Sequence, residues 1–146
     1  MIYGLNIERK VYRHKINSLK KWKMGRNRKP LLFLGARQVG KTFLLQEFGK
    51  TEYKQLAYIN FEQPNAPRSL FETDFDADRI ITVLNAYCNL KINAEDTLIV
   101  FDEIQAAPKG LTALKYFYEN ASEYHVIGAG SLLGVTIHPE ESFPVG

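Results

Sequence analysis

The octapeptide Gly-Ala-Arg-Gln-Val-Gly-Lys-Thr, Gly35 to Thr42, constrains this chain more than any other feature. It stands between an unbroken apolar run, Leu31 to Leu34, and a stretch from Thr42 to Phe48 with apolar residues at helical spacing. The run reads as a buried strand and the stretch as a helix. Gly35 lets the chain leave the strand sharply, and Gly40 lets backbone approach an anion closely because no side chain intrudes. Loop N–H groups and the positive end of the helix then cradle phosphate oxygens. Lys41 is expected to reach the β- and γ-phosphates as a mobile point charge, and the Thr42 hydroxyl to ligate Mg²⁺. Chance produces this pattern in a chain of this length roughly once in 200 proteins. The expected phosphate-binding residues are Gly35, Ala36, Arg37, Gln38, Val39, Gly40, Lys41, Thr42 and Phe43.

Three more apolar runs follow: Leu56 to Glu62, the "TLIVFDE" run ending at Asp102 and Glu103, and Tyr124 to Gly130. Helical patterns at 76–92 and 111–120 separate them. Strands that are continuously apolar and alternate with helices predict an α/β fold, a parallel sheet covered by helices on both faces. The second half of a nucleotide site is then an acid at the end of another strand. Asp102 is the expected Mg²⁺ residue, acting mostly through water. Glu103 is expected to orient or deprotonate the attacking water. The paired acids suit the P-loop class that inserts a strand between the P-loop strand and the Asp strand, and the 56–62 run is the candidate inserted strand. No Asn-Lys-x-Asp guanine-reading motif occurs, which favours ATP over GTP.

At 146 residues the chain holds one domain with a real core. No apolar run is long enough to span a membrane, and no signal-peptide core opens the chain. The single cysteine, Cys88, excludes an internal disulfide framework, fits a cytoplasmic protein and reads as a buried core thiol. His14, His125 and His138 show no metal-ligand spacing and read as structural or exposed.

Charge is unevenly spread. Residues 9 to 29 hold 10 of the 19 basic residues and no acid, whereas the rest of the chain is net negative. Ile7, Val11, Ile16, Leu19 and Trp22 suggest that this segment is an amphipathic helix with a basic outer face, ended by "GRNRKP". Residues 1–29 are therefore read as a basic helical segment and 30–146 as the P-loop core. The basic face is either simply solvated or binds nucleic acid or an acidic partner. A third placement sets the "GRNRKP" turn beside the nucleotide. The loop-like ending "HPEESFPVG" leads us to expect a core that is incomplete at its C-terminus, short of a last strand.

Together, "LLFLGARQVGKTFLLQEFG", "AYINFE", "LIVFDEIQ", "LKYFYEN" and "YHVIGAGSLLG" resemble a widespread prokaryotic AAA-type ATPase family, across nearly the whole chain. Its members carry an N-terminal ATPase module and a C-terminal domain of unassigned function. The resemblance implies a P-loop NTPase fold of the AAA (ASCE) type, ATP and Mg²⁺ as ligands, and a chain that continues past Gly146. It places Ser131 at the polar sensor position, where a hydroxyl contacts the γ-phosphate or the attacking water. One departure stands out: such ATPases complete catalysis with an arginine finger, often from a neighbouring subunit, yet the last arginine here is Arg79. Either the finger lies beyond Gly146 or the protein does not use one in the usual place; separately, a homo-oligomer through the missing C-terminal part is expected.

The function expected is therefore an ATP-binding module that hydrolyses Mg-ATP when complete or assembled, with Lys41, Glu103 and Ser131 catalytic and Thr42 and Asp102 holding the metal. Two rivals remain. A P-loop kinase would pass the γ-phosphate to a small acceptor, though the sequence offers no arginine-rich lid. A nucleic-acid-binding switch would use ATP only to set conformation, with Lys20, Lys21 and Lys23 on its binding face.

Overall fold

The computed structural model describes residues 2–35 and 40–131, with side-chain detail from Lys10 onward. Strand and helix alternate as the apolar patterning requires: α1 (Ile2–Met24), β1 (Leu31–Gly35), α2 (Lys41–Glu52), β2 (Gln55–Asn60), α3 (Ala77–Cys88), β3 (Thr97–Asp102), α4 (Gly110–Asn120) and β4 (His125–Ser131). A 3₁₀ turn, Ile104–Ala106, links β3 to α4. All strand pairs are parallel and the spatial order is β1-β4-β3-β2.

Each strand divides its side chains between two cores, because successive residues face opposite sides. Leu31, Phe33, Leu98, Val100, Ile127 and Ala129 pack with Leu19 of α1 and with Leu44, Leu45 and Phe48 of α2. Leu32, Ile59, Ile99, Phe101 and Val126 pack on the other face with Ile80 and Leu84 of α3 and with Leu114 and Phe117 of α4. The central strands β3 and β4 are buried throughout, which is why they read as unbroken apolar runs.

The strand order corrects one expectation. The strand lying between β1 and the acid strand β3 is β4, not the 56–62 run. That run forms β2, stops at Asn60 and pairs on the outer side of β3. Helix boundaries also move. α3 ends at Cys88 rather than Ile92, because Asn89 takes a left-handed conformation (φ 53°) and its N–H closes on the Asn85 carbonyl. α2 runs on to Glu52, and α1 begins at Ile2. Val11 is exposed rather than part of the packing stripe. Cys88 is half-buried rather than fully buried, and that burial raises its thiol pKa.

α1 lies against β1 with opposed direction: Lys15 stands over the Phe33 ring, whereas Trp22 donates to the Lys29 carbonyl at 2.7 Å. Its C-terminal end meets a buried aromatic group. Tyr53 and His125 contact edge-to-face at 5.2 Å between centroids, and Trp22 meets His125 the same way at 6.1 Å. Burial raises the Tyr53 pKa strongly, so the phenol keeps its proton, and its hydroxyl is hydrogen-bonded to His125 Nδ1 at 2.6 Å. Burial, aided by the nearby Arg28 and Lys23 charges, lowers the His125 pKa to about 4. The folded imidazole is therefore neutral near pH 7.

Gly110 opens α4 because a Cβ there would lie 2.6 Å from the Ile104 backbone oxygen. Gly110→Ala is expected to lower the unfolding free energy by roughly 1–3 kcal/mol, read as a shifted urea midpoint at unchanged slope. His125 generates a pH dependence. Its folded pKa lies below the ordinary 6.5, so the unfolded chain takes up the proton first. Stability is expected to fall as pH drops from 6.5 towards 4, by about 3 kcal/mol at most. Urea unfolding of wild type and His125→Gln across that window checks it, and a slope unchanged in the variant would refute it.

Candidate functional site

The carboxyl ends of β1 and β3 lie two strands apart, with β4 between them, and α2 begins above this edge. Open parallel sheets place their ligands at this edge. Gly40 takes φ 73°, ψ 21°, a left-handed conformation that glycine adopts without strain. It caps α2 without a side chain, so the helix's first N–H groups have no side-chain cap.

Lys41, the first residue of α2, turns inward. Its side chain is only 3% exposed. The ammonium lies 3.2 Å from Asp102 Oδ1 and 3.0 Å from Glu103 Oε1. On a continuing strand Asp102 and Glu103 would face opposite sides of the sheet. They converge because Glu103 takes φ 49°, ψ 48°, left-handed geometry that costs a non-glycine residue about 1–2 kcal/mol. The Glu103 N–H donates back to Asp102 Oδ1 at 2.8 Å, which fixes the turn. Gln105 then donates to Glu103 Oε2 at 2.6 Å, so both oxygens of Glu103 are engaged.

Asp102 Oδ2 accepts from the Thr42 hydroxyl at 2.9 Å and from the Tyr58 hydroxyl. Burial, with the Asp102 hydrogen bond second, raises the Tyr58 pKa strongly and keeps the phenol a donor. The cluster is thus one ammonium between two carboxylates, ringed by two hydroxyls and an amide. The Thr42 and Asp102 oxygens are the hard donors a magnesium ion takes. Among the described residues, no group of three or more His, Cys, Asp or Glu side chains has metal-site geometry.

The structure thus joins Lys41, Thr42, Asp102 and Glu103, four of the residues singled out in sequence. Ser131 ends β4 beside Gly35 and is buried. Phe43 is 63% exposed and meets the Tyr12 ring of α1 at 6.3 Å between centroids. Ala36, Arg37, Gln38 and Val39 lie outside the described residues. Sequence reading missed Tyr58 and Gln105. Tyr58 shares the α2-facing side of the sheet with Asp102, but that needs the β2–β3 register, which pairs Tyr58 with Val100.

Two expectations about the basic segment change. The "GRNRKP" turn does not border this site, because it precedes β1 and lies at the opposite edge of the sheet, roughly 16 Å away along five strand residues. Arg28 Nη2 reaches the Glu123 carbonyl, just ahead of β4, at that same edge. Lys23 is not part of a free basic face: its ammonium donates to the Glu52 carbonyl and stands 4.4 Å from the Tyr53 ring centroid.

A family model described as "AAA domain" matches residues 27–146. Among solved structures, that of C. elegans PCH-2 is similar, with a TM-score of 0.51 and 15% identity, over 96% of this chain and 41% of that one. At that identity the likeness speaks for the fold alone, and the chain spans well under half of the other protein's length. No curated protein matches. No described helix is long and apolar enough to cross a membrane.

Removing one partner of a buried charge cluster leaves the others uncompensated. Lys41→Ala is expected to lower the unfolding free energy by about 3–5 kcal/mol, and adding Glu103→Gln to recover part of it. Urea unfolding of the single and double variants measures both; a Lys41→Ala loss below about 1 kcal/mol would mean that water, not Lys41, compensates the carboxylates.

Proposed function

Because the chain belongs to the AAA domain family, which it matches over residues 27–146, we propose that it is an ATP-binding module that takes Mg-ATP at the N-terminus of α2 and hydrolyses it. The observation that carries this reading is the Lys41 ammonium between Asp102 and Glu103, with Thr42 hydrogen-bonded to Asp102. The donor set suits magnesium. Thr42 and Asp102, already hydrogen-bonded to each other at 2.9 Å, would hold it, Thr42 through its hydroxyl and Asp102 mostly through water. Magnesium would neutralise charge building on the phosphate oxygens.

In this reading Lys41 exchanges its carboxylates for β- and γ-phosphate oxygens, guided by the uncapped N–H groups of α2. Glu103 then loses its ammonium partner on Oε1, and that oxygen becomes free to take a proton from the attacking water. Gln105 keeps Oε2 in place. Tyr58 holds Asp102 in orientation. The Ser131 hydroxyl, at the end of the adjoining strand, serves as the γ-phosphate sensor.

Two of the described arginines, Arg68 and Arg79, are held by other groups. Arg79 binds Asp74 at 2.8 Å and the Leu70 carbonyl at 2.6 Å, and Arg68 binds the Phe61 carbonyl. A neighbouring copy is therefore the proposed source of an arginine finger, a group worth about 10³-fold or more in rate. Turnover should then rise more steeply than protein concentration.

Calorimetric titration with ATP and with GTP, magnesium present, is expected to show tighter ATP binding that disappears in Lys41→Ala under conditions where circular dichroism shows the variant folded. Glu103→Gln is expected to keep ATP binding and to lose about 10²- to 10⁴-fold in hydrolysis. A folded wild-type chain that ignores ATP, or a Glu103→Gln variant that turns over normally, would refute the proposal.

A further inference from the structure

The amino-terminal edge of the sheet, away from the nucleotide site, carries a cleft of about 690 Å³ between the 26–29 turn and the C-terminal half of α4. Arg26, Arg28 and Lys29 line one wall, and Tyr118 and Glu119 line the other. That is three positive charges against one negative. Among the described residues none of the three cations forms an ion pair. Lys29 stands 5.1 Å from the Tyr118 ring centroid, and Tyr118 is 43% exposed.

Arg28 is the most informative of them. Its two terminal nitrogens reach only backbone carbonyls, Lys23 and Glu123, each at 3.3 Å. Its Nε is buried and has no hydrogen-bond partner. A half-buried guanidinium ordinarily pairs with an anion that offsets its desolvation. Here the neighbouring cations Arg26 and Lys29 leave that need unmet, and Lys20 and Lys21, both exposed at the end of α1, extend the positive field. Phosphates in the cleft offset that charge without reaching the buried Nε, because tetrahedral phosphate oxygens accept from arginine and lysine together.

We propose that this cleft binds single-stranded nucleic acid, with the phosphodiester backbone along Arg26, Arg28 and Lys29 and one base stacked on Tyr118. The aromatic ring decides for a single strand, since a duplex keeps its base faces stacked inside. Charge with an adjoining stacking platform is the sequence-tolerant mode of single-strand binding. Glu119 beside the ring disfavours an acidic peptide, which would bring carboxylates against it, whereas the N–H groups of a base can donate to it. The site stands apart from the nucleotide site: the length of β1 separates the two edges, and no residue of one lines the other.

Fluorescence anisotropy of a labelled 20-nucleotide oligothymidylate, titrated with the full chain between 50 and 200 mM salt, tests the proposal. Saturable binding that weakens steeply with salt is expected. Arg26→Glu should weaken it tenfold or more, whereas Lys91→Glu, an exposed lysine outside the cleft with the same change in net charge, should leave it within about twofold. Tyr118→Ala should weaken it about fivefold or more. Lys29→Glu repeats the test should Arg26→Glu fail to fold. Lys41→Ala, under conditions where circular dichroism shows it folded, should bind the oligonucleotide like wild type, so failure here and failure of the ATP reading are separately visible. No binding at 50 mM salt, equal effects of Arg26→Glu and Lys91→Glu, or displacement by polyglutamate as readily as by unlabelled oligonucleotide would each overturn it.

Discussion

The ammonium of a lysine side chain only 3% exposed survives burial here because two carboxylates meet it, and the second reaches it only through a left-handed turn at Glu103. Much of the upper edge follows from that arrangement. Lys41 ties the start of α2 to the end of β3, across the intervening β4, where no backbone ladder joins them. The strain at Glu103 is opposed by hydrogen bonds on both sides of it, from its own N–H to Asp102 and from Gln105 to its carboxylate. Beneath this, Phe61, Phe71, Phe101 and Phe117 form an aromatic cluster at 5.3–6.0 Å between centroids. Phe101 directly precedes Asp102, so the cluster fixes the strand end from which both acids project. Rigid packing below and a charge lock above hold the side chains of Lys41 and Thr42 on the two acids.

The two edges of the sheet divide the chemistry. Acid and hydroxyl groups collect at the carboxyl ends of the strands, cationic and aromatic groups at the amino ends. Parallel pairing forces this separation, since every strand points the same way and every connection must travel back along a helix. The basic segment therefore could not have reached the phosphate loop through the turn that precedes β1, however close the two are in sequence. It reaches α2 instead through the body of α1, where Tyr12 meets Phe43.

How much of this was legible in the sequence differs by residue. The buried strands were, because β3 and β4 are covered on both faces and so carry no polar alternation. The meeting of Lys41, Thr42, Asp102 and Glu103 was, because a loop between strand and helix and an acid pair ending a second parallel strand fall at the same end of the sheet. Strand neighbours were not: a crossover of any length can deliver a strand to either side, so β2 was placed where β4 belongs. Tyr58 was invisible because it meets Asp102 through register, and register is a property of two segments at once. The turn at Glu103 left no trace, since glutamate has no left-handed preference and the conformation is imposed by the lysine it serves. Lys23 looked like a surface charge until Glu52 and Tyr53 were found beneath it.

Trp22 is the only tryptophan in the chain. Its indole N–H is held by the Lys29 carbonyl, and its ring lies edge-on to His125. The molecule thus carries a single built-in optical reporter, and it is stationed at the amino edge of the sheet. Its emission senses the imidazole and the turn that carries Arg28 and Lys29. Light collected from the unlabelled protein therefore reports on that edge without any chemistry being added to it.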